Sequence, residues 1–218
     1  MMRYTRLLPI FFLLLFASTA CRSLSVRGAE PGKLDLAQNT AEQIYFEPFS
    51  LEGVELAGNH GGTGNTERWF AHVLVGAQVA AQDKLPGSRV VLVGQRPSGL
   101  ATVEEKYETK VDPVDAAPQG ALRVRGRYIY SEEVGGASRA LIGMMAGKSW
   151  TRARVEILRD DEPVYTCFVD GKYLGNGYSW GYETLGANEE VGRAIVEVIA
   201  ALKAGQAVAS EPLEGPGS

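Results

Sequence analysis

The chain has 218 residues, with 22 Lys and Arg against 26 Asp and Glu, and leaving out Arg3 and Arg6 takes its formal charge from -4 to -6. That acidic balance argues against a general nucleic-acid binder, and no DNA or RNA role is expected. With only two cysteines, one of them at position 21, a disulfide framework is excluded, so an apolar core must hold the fold, and a chain of this length can build one.

Arg3 and Arg6 precede the apolar run Leu7 to Phe16, and Ala17-Ser18-Thr19-Ala20 leads into Cys21. A basic start, a short apolar run and small residues before a cut site describe an export signal over residues 1–20, too short to cross about 30 Å of hydrocarbon as a permanent helix. Thr19, Ala20 and Cys21 resemble the Leu-Ser/Thr-Ala/Gly-Cys signal of bacterial lipoproteins, with Ser18 where Leu is usual. The resemblance implies lipid attachment at Cys21, through diacylglycerol and an N-acyl chain such as palmitate. Several chains anchor firmly because each buried methylene contributes about 0.8 kcal/mol. Arg22 is not the aspartate associated with inner-membrane retention, so the expected location is the outer membrane, on its periplasmic side.

Residues 21–41 are polar and small, with Gly28, Pro31 and Gly32, and read as a flexible tether. A single domain is expected over 42–205. Ile44 to Phe49 forms its first strand, with Pro48 at an edge or end, and Gly53 to Gly64 is a glycine-rich loop. From Thr66, the residues Trp69, Phe70, Val73, Leu74, Ala77, Ala80 and Ala81 recur at helical spacing until Pro86-Gly87. Arg89 to Val93 is a buried strand, and Leu100 to Gly120 is an irregular excursion. Leu122 to Tyr130 and Thr151 to Leu158 alternate apolar and charged residues as half-buried strands.

The acidic turn before Pro163 closes a hairpin into Val164 to Val169, which Asp170-Gly171 ends. A last helix starts with Asn188 as N-cap and Glu189 and Glu190 in its first turn, and stops at Lys203 and Gly205. The tail 206–218 reads as disordered. The order of elements predicts an α+β fold, a two-layer sandwich of one mixed, mostly antiparallel sheet with two helices on one face.

The segment Gly135 to Ser149, the strand Ala153 to Leu158, the hairpin acid Asp160 and the terminal helix together resemble the bacterial lipoprotein family called domain of unknown function 4410. Its members have a small-residue Arg-x-x-x-Gly segment before a hydrophobic strand that ends in Asp. The likeness runs in order from about Ile44 to Leu202, with Met144-Met145-Ala146 where Phe-Gly-Ala is common. It implies localisation and fold, and no activity.

Gly143 to Ser149 looks like a phosphate-binding loop, yet three residues rather than four separate Gly143 from Gly147-Lys148-Ser149, and a strand follows where a helix should. No nucleotide and no other cofactor is expected. His60 and His72 have no Cys or His partner at metal spacing, so no metal site is expected either. Cys167 sits in an apolar, β-branched run and reads as a buried, inert thiol.

The paired carboxylates fall in loops, turns and a helix start, and no catalytic residue is assigned. If the two alternating strands are neighbours, Arg123, Arg125, Arg127, Arg152 and Arg154 gather on the sheet face opposite the helices. That face is the candidate contact for an anion on a lipid headgroup, an envelope polymer or a partner protein. A solvated face interleaved with acids such as Glu156 is the plain alternative. The expected role is a non-enzymatic accessory or assembly subunit, held at the membrane by its lipid anchor and meeting envelope proteins. A ligand- or envelope-polymer-binding lipoprotein is the second expectation and a periplasmic hydrolase the third.

Overall fold

The computed structural model describes residues 25–30, 43–58, 66–133, 149–173, 183–206 and 208. The export signal, Cys21, His60, the Gly143 to Lys148 loop and the tail beyond 208 lie outside the described residues. The architecture is α+β, and among the described residues eight strands join one mixed sheet accompanied by three helices. In chain order the elements are β1 (Ser25–Glu30), β2 (Gln43–Phe46), β3 (Glu55–Gly58), α1 (Thr66–Lys84), β4 (Arg89–Val93) and α2 (Leu100–Lys106). Then come β5 (Asp112–Val114), β6 (Leu122–Glu133), β7 (Ser149–Arg159), β8 (Glu162–Tyr173) and α3 (Glu183–Lys203).

β6 is the spine. On one side β2 runs parallel to it beside Leu122 to Val124, and β3 runs parallel beside Tyr130 to Glu133. On the other side β7, β8 and β1 follow in antiparallel succession, while β4 and β5 continue the sheet beyond β2 in parallel. Four of these seven pairings are parallel, so the mostly antiparallel expectation holds only for the long strands. The physical reason is that α1 is a crossover, and a strand reached through a crossover helix returns in parallel.

The β7–β8 hairpin forms as expected, on a two-residue turn in which Asp160 and Asp161 have φ of 51° and 66°. This left-handed pair matches the strand twist, and Asp tolerates it better than most residues. Asp160 is held further by accepting from Gly120 N at 2.7 Å.

Several boundaries differ from expectation. Ser25–Glu30, read as tether, pairs with β8 from Ser25 opposite Asp170 to Arg27 opposite Phe168. Without it the long edge of β8 would present unpaired backbone groups, and backbone pairing asks little of side chains. Part of the expected 100–120 loop is α2 and β5. Leu100 and Val103 are buried there, and buried Glu104 accepts from Val111 N at 2.8 Å and from Arg96. A seven-residue helix is too short to show periodicity, and a charged residue used as an internal acceptor resembles a solvated one.

Asp170-Gly171 does not end β8, which runs on to Tyr173. Gly171 is there for packing, since a Cβ at that position would collide with Ala187 O and Val191 on α3. Asn188 is not a cap. α3 already runs from Glu183, and Asn188 is buried and donates to Thr184 O at 2.8 Å. The helix does end as expected: Gly205, at φ 66°, carries the left-handed stop, with Gln206 N donating to Ala201 O. α1 and α3 meet closely, Gly76 facing Glu189 of α3 and Gly192 facing Val73 and Ala77. Ile44, Phe46, Leu74, Leu92, Leu122, Ile157 and Ile195 close the core beneath them.

Candidate anion-contact groove

Two consecutive irregularities shape the sheet around Arg127. Phe46 pairs with Val124, and Ser50 bridges Arg127, so the first segment holds one more residue than β6 over that stretch. Pro48 has no N–H to give the ladder, and the hydrogen bonds skip it: Glu47 N donates to Val124 O, and Ser50 N to Gly126 O. The displaced backbone leaves a groove of about 360 Å³, walled on one side by Glu47, Pro48, Ser50 and Glu52. Its floor and far wall are Arg125, Gly126 and Arg127 of β6 with Arg154 and Glu156 of β7.

β6 and β7 are neighbours, as the arginine face requires, with Arg125 opposite Glu156 and Arg127 opposite Arg154. Arg123 and Arg125 are both tied to Glu47, the first by Nε at 2.8 Å to Oε1 and the second by Nε at 2.8 Å to Oε2. Arg123 also donates to Asp161 of the hairpin, and these hydrogen bonds, led by that to Glu47, raise its pKa against the opposing effect of burial. Arg154 reaches Glu156 at 3.1 Å. Arg127 is exposed and has no ion-pair partner among the described residues.

Arg152 departs from the expected patch. A bulge at Ile129 shifts the register so that Arg152 faces Tyr130, and Asp170 of β8 lies directly opposite. Both side chains are wholly buried, Nε 2.8 Å from Oδ1, and the guanidinium carbon lies 4.8 Å from the Trp150 ring centroid. Tyr130 packs on the same indole at 5.0 Å. Arg152 is therefore a structural anchor that no solvent anion reaches. The structure brings Arg123, Arg125, Arg127 and Arg154 to the groove and its margin and removes Arg152 from it.

The residues missed in the sequence are Glu47, Ser50 and Glu52. Pro48 within an otherwise strand-like run was the available signal, since proline inside a strand marks a bulge or an edge. Ser50 Oγ accepts from Glu52 N at 3.1 Å, which leaves its hydroxyl hydrogen to donate.

A second polar cluster lies between the helices. His72 Nδ1 sits 2.8 Å from Glu189 Oε1, Tyr107 donates to Oε2, and Lys106 Nζ stands 3.8 Å away. Burial works to raise the Glu189 pKa, but hydrogen bonds from His72 and Tyr107 with the nearby charges hold it below its ordinary value. Tyr107 is pushed up by burial and by Glu189. The cluster ties α1, the end of α2 and α3 together. Cys167 is buried, and burial pushes its thiol up to about 12, the environment of an unreactive sulfur.

Among the described residues no group of three or more His, Cys, Asp or Glu side chains is placed to hold a metal, and no helix is long and apolar enough to cross a membrane. No protein-family model matches the chain, and no curated protein does. Among solved structures, the chain is similar to the PelC dodecamer from Paraburkholderia phytofirmans, at 11% identity and a TM-score of 0.39, covering 83% of this chain and 98% of that one. A single-substitution variant of that dodecamer gives 9% identity and a TM-score of 0.35, over 79% and 98% of the two chains. Overlap at this level fixes neither fold nor function.

Proposed function

We propose that this chain is a lipid-anchored lipoprotein of the bacterial cell envelope, of the kind grouped as domain of unknown function 4410. It is held at the outer membrane through Cys21, with a non-enzymatic domain on the periplasmic side serving as an accessory or assembly subunit. The observation that carries this reading is the export signal of Arg3, Arg6 and Leu7 to Phe16 that leads through Thr19-Ala20 to Cys21. In this reading α1 and α3 form one layer over the sheet and the groove occupies the opposite face. The contact of α3 with Gly171, and the Phe49 ring seated over Gly126 and 5.3 Å from Phe70, support the two-layer arrangement.

A second reading, a lipoprotein that binds a ligand or an envelope polymer, is favoured by the groove itself. Its volume lies in the range of small-ligand sites, and Arg127 offers at its floor a guanidinium that no acid among the described residues pairs.

Growth with radiolabelled palmitate tests the anchor: label should enter the wild-type chain and be absent from Cys21→Ser, which should also leave the membrane fraction. Unlabelled wild-type protein would overturn the proposal. Cross-linked co-purification with other envelope proteins then separates an accessory subunit, which brings partners down, from a ligand-binding protein, which does not.

A further inference from the structure

Arg127 stands directly across the β6–β7 ladder from Arg154, a placement of like charges that works against pairing. Of the groove's three arginines, Arg125 and Arg154 already hold Glu47 and Glu156, which leaves the charge of Arg127 unanswered among the described residues. A ligand that fits must therefore bring a single negative group to Arg127, where the remaining N–H donors of Arg154 and the Ser50 hydroxyl converge on the same groove. A group with several charges close together does not fit, because Glu47, Glu52 and Glu156 surround that point and would meet its further charges as like with like.

The same carboxylates define the rest of the ligand. Each has about four acceptor positions; Glu47 gives three of its own to Arg123 and Arg125 and Glu156 one to Arg154, and those that remain ask for hydroxyl donors arranged around the anionic group. Pro48 and the bare backbone of Gly126 supply a small apolar surface between them. The complement of a cation left unpaired among the described residues, ringed by acceptors and donors in a groove of about 360 Å³, is a polyhydroxylated ring bearing one carboxylate.

We propose that the groove formed by the Pro48 bulge beside Gly126 and Arg127 binds a hexuronate unit of a saccharide, its carboxylate on Arg127 and Arg154 and its hydroxyls on Glu47, Glu52 and Glu156. This deepens the ligand-binding reading given above and rests on it.

The test is calorimetric titration of the full chain in detergent micelles with glucuronate, glucose and acetate, beside retention of the protein on a uronate-containing polymer. Glucuronate should bind, while glucose and acetate should each bind at least about tenfold more weakly, since each lacks half of the complement. Arg127→Gln should weaken glucuronate at least about tenfold without lowering the thermal midpoint. Ser50→Ala should weaken it a few-fold, and Lys110→Gln, on the exposed sheet margin, should leave it unchanged.

Acetate binding as tightly as glucuronate would reduce the site to a simple anion contact and overturn the saccharide assignment, as would full affinity in Arg127→Gln. Arg127-dependent retention on the polymer without any response to glucuronate would overturn the hexuronate unit and leave the wider binding reading standing. Absence of both would overturn the two together.

Discussion

Arg152 and Arg154 project from the same side of β7, two residues apart. Arg152 and its partner Asp170 are each 0% exposed at 2.8 Å, whereas Arg154 is 42% exposed and reaches Glu156 at 3.1 Å. The difference comes from the neighbouring strand. Across the ladder Arg152 meets Asp170, while Arg154 meets Phe168 and has to find its acid along its own strand. One residue type at one period thus gives an internal anchor at one position and a surface contact at the next. Alternation alone tells which side of a sheet an arginine leaves, and the cross-strand partner decides what it does there.

The sharpest way to break that contrast is Asp170→Asn. Removing one member of a wholly buried pair leaves a charge without its counterpart, and a loss of about 3–5 kcal/mol is expected in urea unfolding. Replacing both as Arg152→Met with Asp170→Leu should recover most of that loss, because apolar residues of similar volume often substitute for a buried pair without penalty. Glu156→Gln should change stability by about 1 kcal/mol or less, as befits the exposed pair of Arg154. Equal losses from Asp170→Asn and Glu156→Gln would dissolve the distinction.

Glu189 falls between these extremes, its side chain 10% exposed and shared by His72 and Tyr107. Its carboxyl is held below the ordinary value of 4.5, burial being outweighed by those hydrogen bonds. A carboxyl with a depressed folded-state pKa stabilises the fold above its unfolded value, and that contribution is lost as pH falls through the folded value. Stability measured from neutral pH downward should therefore drop below about pH 4.5 in the wild type. Glu189→Gln should flatten that limb and lower stability at neutral pH by about 1–3 kcal/mol, the range for a disrupted buried hydrogen-bond centre. An acid limb of unchanged slope in the variant would show that other carboxylates carry it.

Long, regular segments were legible in the sequence: α1 begins at Thr66, β4 spans Arg89–Val93, and the acidic turn before Pro163 joins β7 to β8, as read from spacing and turn residues. What escaped was set by partners distant in the chain. Gly171 and Asn188 carry local signatures of a stop and a cap, yet each serves the α3 contact, Gly171 by having no side chain and Asn188 by lying buried. Arg152 is indistinguishable from Arg154 until the Ile129 bulge and Asp170 are placed. The groove depends on a single extra residue near Pro48, which no period-two reading registers.

Arg127 supplies the smallest effect, and its sign is the informative part. It faces Arg154 with no acid of its own among the described residues, so Arg127→Gln removes a repulsion and should stabilise the protein by about 0.2–1 kcal/mol at low ionic strength. The gain should shrink as salt is added, because the screening length falls to about 10 Å at 0.1 M, Arg127 is exposed and the Arg154 side chain is 42% exposed. A side chain whose loss improves stability contributes something other than the fold, and its position at the floor of the groove says where that contribution is made. If Arg127→Gln instead lowers stability by more than about 0.5 kcal/mol, Arg127 belongs with Arg152 among the anchors, and the comparison between them no longer separates structure from contact.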